Sequence, residues 1–300
     1  ADATARSTRP SRSPSYVPAL SAIRARVPRG FHDQADTASV TGTMDAGHIV
    51  PLVAAGLAAG TVNSVAGGGS LVSFPALLAS GLPPVAANVT NSIAVFPGYL
   101  GSVAGSRDDL GALATEIGRR RIVALLPTAA LGTAAGCALL LATPARAFDL
   151  VVPFLVLGAA AVLAAQKRLR ALAQSATSPR RHTVAPHVVV LVGSVYGGYF
   201  GAALGIMLVA ALGLVLPSSL ARVSALKNLL SALVGLITLV VFAVFGPVDW
   251  VDVAILAPAT VTGGYVGARL ARRLPAPVLR ALIVTFAAVV GLILLVRAVR

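Results

Sequence analysis

The chain has 300 residues, of which 57% are hydrophobic and only 11% charged, against about a quarter charged in soluble domains. One aqueous core cannot hide so much apolar surface, which points to an integral membrane protein and away from a soluble enzyme. The formal charge of +14 lies between the apolar runs and forms no continuous face. It reads as loops held in the cytoplasm, not as a nucleic-acid footprint.

Residues 1–43 are rich in Arg, Ser and Pro and contain no long apolar run. They lack the apolar core of a secretory signal and read as a disordered basic tail. Met44 follows directly and reads as the natural start, with an authentic cytosolic tail as the alternative. Beyond it, apolar segments fall at about 48–66, 70–81, 85–105, 121–142, 147–166, 186–204, 206–216, 220–245, 250–269 and 276–297. They neither alternate like barrel strands nor carry a polar stripe, so they predict helices. Segments 70–81 and 206–216 are too short to cross a bilayer alone, because a helix rises about 1.5 Å per residue and a crossing takes about 20 residues. The expectation is an all-α polytopic membrane protein with about eight full transmembrane helices and two short half-helices. Cys137, the single cysteine, sits inside an apolar run, where a small packed hydrophobe is expected and a disulfide framework is excluded.

The two halves match. Gly56 and Gly60 correspond to Gly193 and Gly197, and "AGGGS" at 66–70 corresponds to "GAALG" at 201–205. A short apolar piece follows each break, then a proline turn, Pro83-Pro84 against Pro217. Next comes a helix with polar residues near its start, "VTNS" at 89–92 against "LKNL" at 226–229. The duplication divides the chain into a first repeat at 44–166, a cytoplasmic linker at 167–185 and a second repeat at 186–300. Stretches 106–121 and 166–182 and the turn with Arg269, Arg272 and Arg273 are basic, whereas 246–252 is acidic. Placing the basic stretches inside runs the third segment inward and the eighth outward, so the repeats are inverted. The basic tail and Arg146 run against this assignment. Inverted repeats with broken helices are an architecture of secondary transporters.

Irregular backbone at membrane depth survives where protein covers it or a water-filled cavity solvates it. A helix that restarts after Gly67, Gly68 and Gly69 exposes unpaired N–H groups, and these with the helix dipole favour an anion. Glycines let a ligand approach the backbone, and Asn63, Ser64 and Ser70 stand beside it. The alternative is close helix packing, which is the preferred reading for Gly56 and Gly60. Lys227 lies about two turns into an otherwise apolar segment, and no Asp or Glu occupies the interior of any apolar segment. A buried ammonium needs a partner or water, so a bound anion and snorkelling to the cytoplasmic surface are the two readings. Lys227-Asn228 falls opposite Thr90-Asn91 in the repeat, which favours the site. Tyr196 and Tyr199 could donate hydroxyls or simply pack, while Arg222, His48 and His187 read as interfacial. Neither of these histidines has metal-ligand spacing, and no nucleotide-binding loop or catalytic set is visible. No metal, cofactor or catalytic residue is therefore assigned.

The stretch 58–105, "AAGTVNSVAGGGSLVSFPALLASGLPPVAANVTNSIAVFPGYLGSVAG", resembles the opening signature of the TauE/SafE family of sulfite exporters and toluenesulfonate uptake permeases. The matching parts are Gly67–Gly69, Phe74 to Leu78, Gly81 to Pro84 and Ala87 to Asn91. The likeness extends over nearly all of 46–298. The second half departs from it, keeping only Gly201 and Gly205 of a glycine-rich break. The resemblance implies a multi-pass permease of the bacterial inner membrane for small sulfur oxyanions or organosulfonates.

The expected partners are thus a small anionic substrate and the lipid bilayer, with no nucleic acid. Asn63, Ser64, Gly67, Gly68, Gly69, Ser70, Thr90, Asn91, Lys227 and Asn228 are the expected substrate-binding residues, and one half would rock against the other. Uniport and co-transport of a protonated anion both fit a chain without an intramembrane carboxylate. A passive anion channel, a non-transporting assembly protein whose glycines serve packing and, last, an intramembrane enzyme are the rival readings.

Overall fold

The computed structural model describes residues 46–65, 68–175, 184–270 and 276–299, all within the unit formed by residues 41–300. The tail 1–43, Met44, Gly67, the centre of the linker at 176–183, and Arg272 and Arg273 lie outside the described residues. The helices are α1 (Ala46–Val65), α2 (Ser70–Ala79), α3 (Pro84–Gly105), α4 (Arg107–Leu113), a π-turn (Ala114–Gly118), α5 (Arg119–Ala142), α6 (Ala145–Ala164), α7 (Gln166–Ser175), α8 (Val184–Tyr199), α9 (Leu204–Val215), α10 (Leu220–Phe245), α11 (Trp250–Leu270) and α12 (Ala276–Val299). No strand occurs among the described residues.

Proline sets several of these boundaries. Pro84 opens α3 and Pro144 directly precedes α6, where the missing N–H costs nothing and the fixed φ suits the first turn. Gly81, at φ +102°, turns the chain between α2 and α3 in a region that other residues rarely adopt. The sixth apolar segment ends sooner than hydropathy suggests, at Tyr199, because Gly201 (φ +74°) and Ala203 (φ +58°) leave the helical region.

The stretches read as loops at 106–121 and 166–182 contain helices. Leu110, Leu113, Ala114 and Ile117 recur at helical spacing and pack on a core formed by Leu204, Leu208 and Leu212 of α9 with Val223, Leu226 and Leu230 of α10. α7 likewise packs on α9. Charge density hid this period, since only one face of each segment is apolar.

By length and composition, helices spanning Arg107–Ala142, Ala145–Ala164 and Leu220–Phe245 can cross a membrane, and several shorter helices are equally apolar. Leu131, Phe154, Val240 and Val244 stand exposed on their outer faces. Apolar surface of that extent calls for lipid.

Packing relates the halves in a regular way. α1 runs parallel to α11, because His48 meets Asp252, Gly56 meets Leu256 and Ala259, and Gly60 meets Thr260 and Gly264. α5 runs parallel to α8 in the same manner, Gly132 against Leu191 and Ser194, Gly136 against Val195 and Gly198. A Cβ on Gly60 or Gly136 would strike the carbonyl oxygen of Thr260 or Val195, so these glycines let two backbones touch. The packing reading of Gly56 and Gly60 is the observed one. α3 and α10 run antiparallel, with Val89 beside Gly246, Phe96 beside Gly235 and Asn228 bonded to Ser102. α6 packs on α12. Each short helix folds back on its predecessor: Gly193 and Gly197 of α8 face Leu208 and Leu204 of α9, and Gly69 at the start of α2 lies against Ala59 and Asn63 of α1.

Candidate functional site

Both short helices begin in the protein interior. At the second break the N–H groups of Phe200 and Gly201 both bond to the Tyr196 carbonyl, at 2.8 and 3.0 Å. The Tyr196 hydroxyl donates to the Ala202 carbonyl at 2.6 Å, which pins the loop. Asn88 of α3 donates through Nδ2 to the Tyr199 carbonyl at 2.9 Å. Tyr196 thus spends its hydroxyl on the backbone, and Tyr199 packs its ring 5.8 Å from that of Phe148. At the first break Gly68 and Gly69 supply carbonyls to Leu71, Val72 and Ser73. Neither Gly69 before α2 nor Ala203 before α9 caps its helix with a side chain. At α9 the Leu204 and Ile206 N–H groups bond to the Gly201 and Ala203 carbonyls, while the Gly205 N–H between them has no backbone partner among the described residues and keeps hydrogen-bonding capacity for a ligand or water.

The two N-termini line one cavity. Its walls are Asn63, Gly68, Gly69, Ser70 and Tyr99 from the first half, and Gly201, Ala203, Leu204, Gly205, Lys227 and Ser231 from the second. Gly69 has two reasons to be glycine there, since a Cβ would also collide with the Ala59 carbonyl. Asn63 hydrogen-bonds the Tyr99 hydroxyl. A second cavity shares Ser70, Tyr99, Gly201, Leu204 and Ser231 and adds Asn91, Ser92, Val95, Gly197, Phe200, Val234, Gly235 and Thr238. Asn91 accepts the Ser73 hydroxyl proton at Oδ1, which leaves its Nδ2 hydrogens for other partners.

Among the expected site residues, the structure brings Asn63, Gly68, Gly69, Ser70 and Lys227 to the first cavity and Asn91 to the second. Thr90 and Asn228 line neither. Thr90 accepts the Asp249 N–H at 3.0 Å, and Asn228 donates to the Ser102 carbonyl and the Ser106 hydroxyl at 3.2 and 3.0 Å. Both tie α3 to the second half. Gly67 and the Ser64 side chain lie outside the described residues.

Sequence reasoning missed Tyr99, Ser231 and Asn88. Tyr99 lies eight residues after Asn91, and Ser231 four after Lys227, so helical spacing from residues already singled out would have found both. Nothing in the sequence pattern marks Asn88 as the partner of a distant broken helix.

Chemically, the first cavity gathers two positive helix ends and the half-buried Lys227, with no carboxylate in either lining. Partial charges at helix N-termini and an ammonium sum to an anion-attracting field. Away from the cavities, polar ties join the halves at both ends. His48 and Asp252 meet at 2.8 Å at the start of α1 and α11. At the opposite end Glu116 accepts from Ser218 at 2.6 Å and from Arg222 at 3.0 Å. The Ser218 hydroxyl, followed by Arg222, holds the Glu116 carboxyl below its ordinary value of 4.5.

The family model described as "Sulfite exporter TauE/SafE" matches residues 52–294. The chain is 26% identical to the probable membrane transporter protein YfcA of Escherichia coli (strain K12), over 78% of this chain and 84% of that one. It is 25% identical to a probable membrane transporter protein of Haemophilus influenzae, over 73% and 83% of the two chains. A probable membrane transporter protein, ORF9, of a Sinorhizobium species is 26% identical over 78% and 87%. No solved structure gives a significant match.

Proposed function

The chain belongs to the sulfite exporter TauE/SafE family, a family of membrane transporters, and on that premise we propose that it carries small sulfur oxyanions or organosulfonates across the bacterial inner membrane as a secondary transporter. The observation that carries this reading is the joint lining of one cavity by Lys227 and the N-termini of α2 and α9. The anion sits against Gly68, Gly69 and Ser70 on one side and Gly205 on the other. Lys227 balances its charge, Asn63 orients it by hydrogen bonding, and Asn91 stands in the adjoining cavity.

Eight long helices cross the bilayer, and α2 and α9 are half-helices that enter from opposite faces. The domains are two inverted repeats, 44–166 and 186–300, joined by a cytoplasmic linker. Three packing relations support this arrangement: the first helix of each half lies on the fourth of the other, the third helices pair antiparallel, and the fifth helices pair with each other. Exchange of the halves maps this scheme onto itself, as expected of folds built from inverted repeats.

Transport follows from rocking one half against the other. The cavities each hold about one water-sized group, which fits a conformation closed toward both faces. Opening one face parts Thr90 from Asp249 and His48 from Asp252, and opening the other parts Glu116 from Ser218 and Arg222.

Reconstitution into vesicles tests the proposal. Uptake of labelled sulfite should saturate with concentration and show counterflow against unlabelled sulfite inside. Flux that rises linearly without counterflow would mean a channel, and no flux of any sulfur anion would reject the substrate class.

A further inference from the structure

The second cavity carries chemistry that a bare oxyanion does not use. Ser70 and Ser231, 9% and 2% exposed, line both cavities. Hydroxyls that face the space where two cavities join can exchange hydrogen bonds with a ligand or water there. Beyond them the second cavity is uncharged, with apolar walls at Val95, Phe200, Leu204 and Val234 and a few polar groups set among them. Asn91, 2% exposed, has its Oδ1 occupied by Ser73 and turns into a donor. Ser92 and Thr238 give their hydroxyl protons to the carbonyls of Asn88 and Gly235, at 2.8 and 2.9 Å, and so keep lone pairs to offer as acceptors.

We infer that the second cavity is a subsite for an uncharged, hydroxyl-bearing tail, so that the preferred ligand is a short hydroxyalkanesulfonate whose anionic head lies beside Lys227. This rests on the anion site proposed above and adds what stands next to it. A hydroxyl group both donates and accepts, matching Thr238 and Ser92 on one side and Asn91 on the other. An ammonium tail would find no carboxylate in the lining and a carboxylate tail no second cation, and an unpaired buried charge is disfavoured far more than an unpaired hydroxyl.

The experiment is a binding series on the purified full-length protein with methanesulfonate, ethanesulfonate, 2-hydroxyethanesulfonate, taurine and sulfoacetate, on wild type and Thr238→Val. Wild type should bind 2-hydroxyethanesulfonate about tenfold more tightly than ethanesulfonate, the effect of one to two neutral hydrogen bonds. Taurine and sulfoacetate should bind more weakly than ethanesulfonate. Thr238→Val should erase most of the hydroxyl preference and leave methanesulfonate unchanged. Equal affinity for the hydroxylated and plain sulfonates, or tightest binding of taurine or sulfoacetate, overturns the tail subsite while methanesulfonate binding leaves the anion site intact. Failure of all five to bind overturns both. The ligand series on wild type decides the matter even if Thr238→Val does not fold.

Discussion

Asn88 of α3 donates its amide proton to the carbonyl oxygen of Tyr199 at 2.9 Å, closing the broken end of α8 with a residue more than a hundred positions earlier in the chain. The contact joins the two halves at the depth where α8 stops. Asn88 is only 1% exposed, and the carbonyl it serves has lost its helical partner. Helix ends inside a membrane must find such partners or water.

Replacing Asn88 by alanine should therefore lower stability by about 1–3 kcal/mol, the ordinary cost of a buried polar group left unpaired. Thermal unfolding in detergent measures it. An unchanged transition would mean that the α8 end is held by other groups.

Gly60→Ala and Gly136→Ala should each destabilise by about 1–3 kcal/mol, since the new methyl meets the Thr260 or Val195 carbonyl oxygen. Gly98→Ala has nothing within 4 Å and should be neutral or stabilising, by up to about 1 kcal/mol. Comparing the three unfolding temperatures separates packing from the general effect of glycine in helices.

Glu116 makes the acid side of the stability profile testable. Its folded carboxyl titrates below the ordinary 4.5, chiefly through Ser218, so the folded state binds its proton less readily than the unfolded chain does. That contribution is complete above the ordinary carboxylate range and is lost as pH falls through the lowered value. Glu116→Gln should flatten the acid limb slightly and leave neutral stability nearly unchanged, because an exposed pair contributes little. A steeper acid limb in Glu116→Gln would contradict the assignment.

Most of the fold was legible because apolar run length and proline position are local properties. Nine of the ten apolar segments match helices within about two residues at either end. The sixth runs past its helix because Phe200, Ala202 and Ala203 are apolar yet stand in the break, and hydropathy carries no φ information. α4 and α7 were hidden by their charges. For the site, Lys227, Asn63 and the glycines stand out as polar or small residues in apolar surroundings, and all of those the structure describes meet at the first cavity. Thr90 and Asn228 have the same sequence character but point to Asp249 and to Ser102 and Ser106. Which face of α3 or α10 looks inward depends on partners more than a hundred residues away. The repeat placed Thr90-Asn91 opposite Lys227-Asn228, yet only one residue of each pair reaches a cavity.

The central claim is that Lys227 and the two half-helix N-termini hold a sulfur anion, and ligand-dependent thermal stability of wild type and Lys227→Ala tests it most directly. Sulfite, thiosulfate and methanesulfonate would be compared with sulfate and simple carboxylates at matched ionic strength. At hundredfold excess over Kd, a ligand that binds only the folded state should stabilise wild type by about 2.7 kcal/mol. The account predicts such a shift for at least one sulfur anion and its loss in Lys227→Ala. A shift that survives the substitution, or none with any sulfur anion, would contradict it.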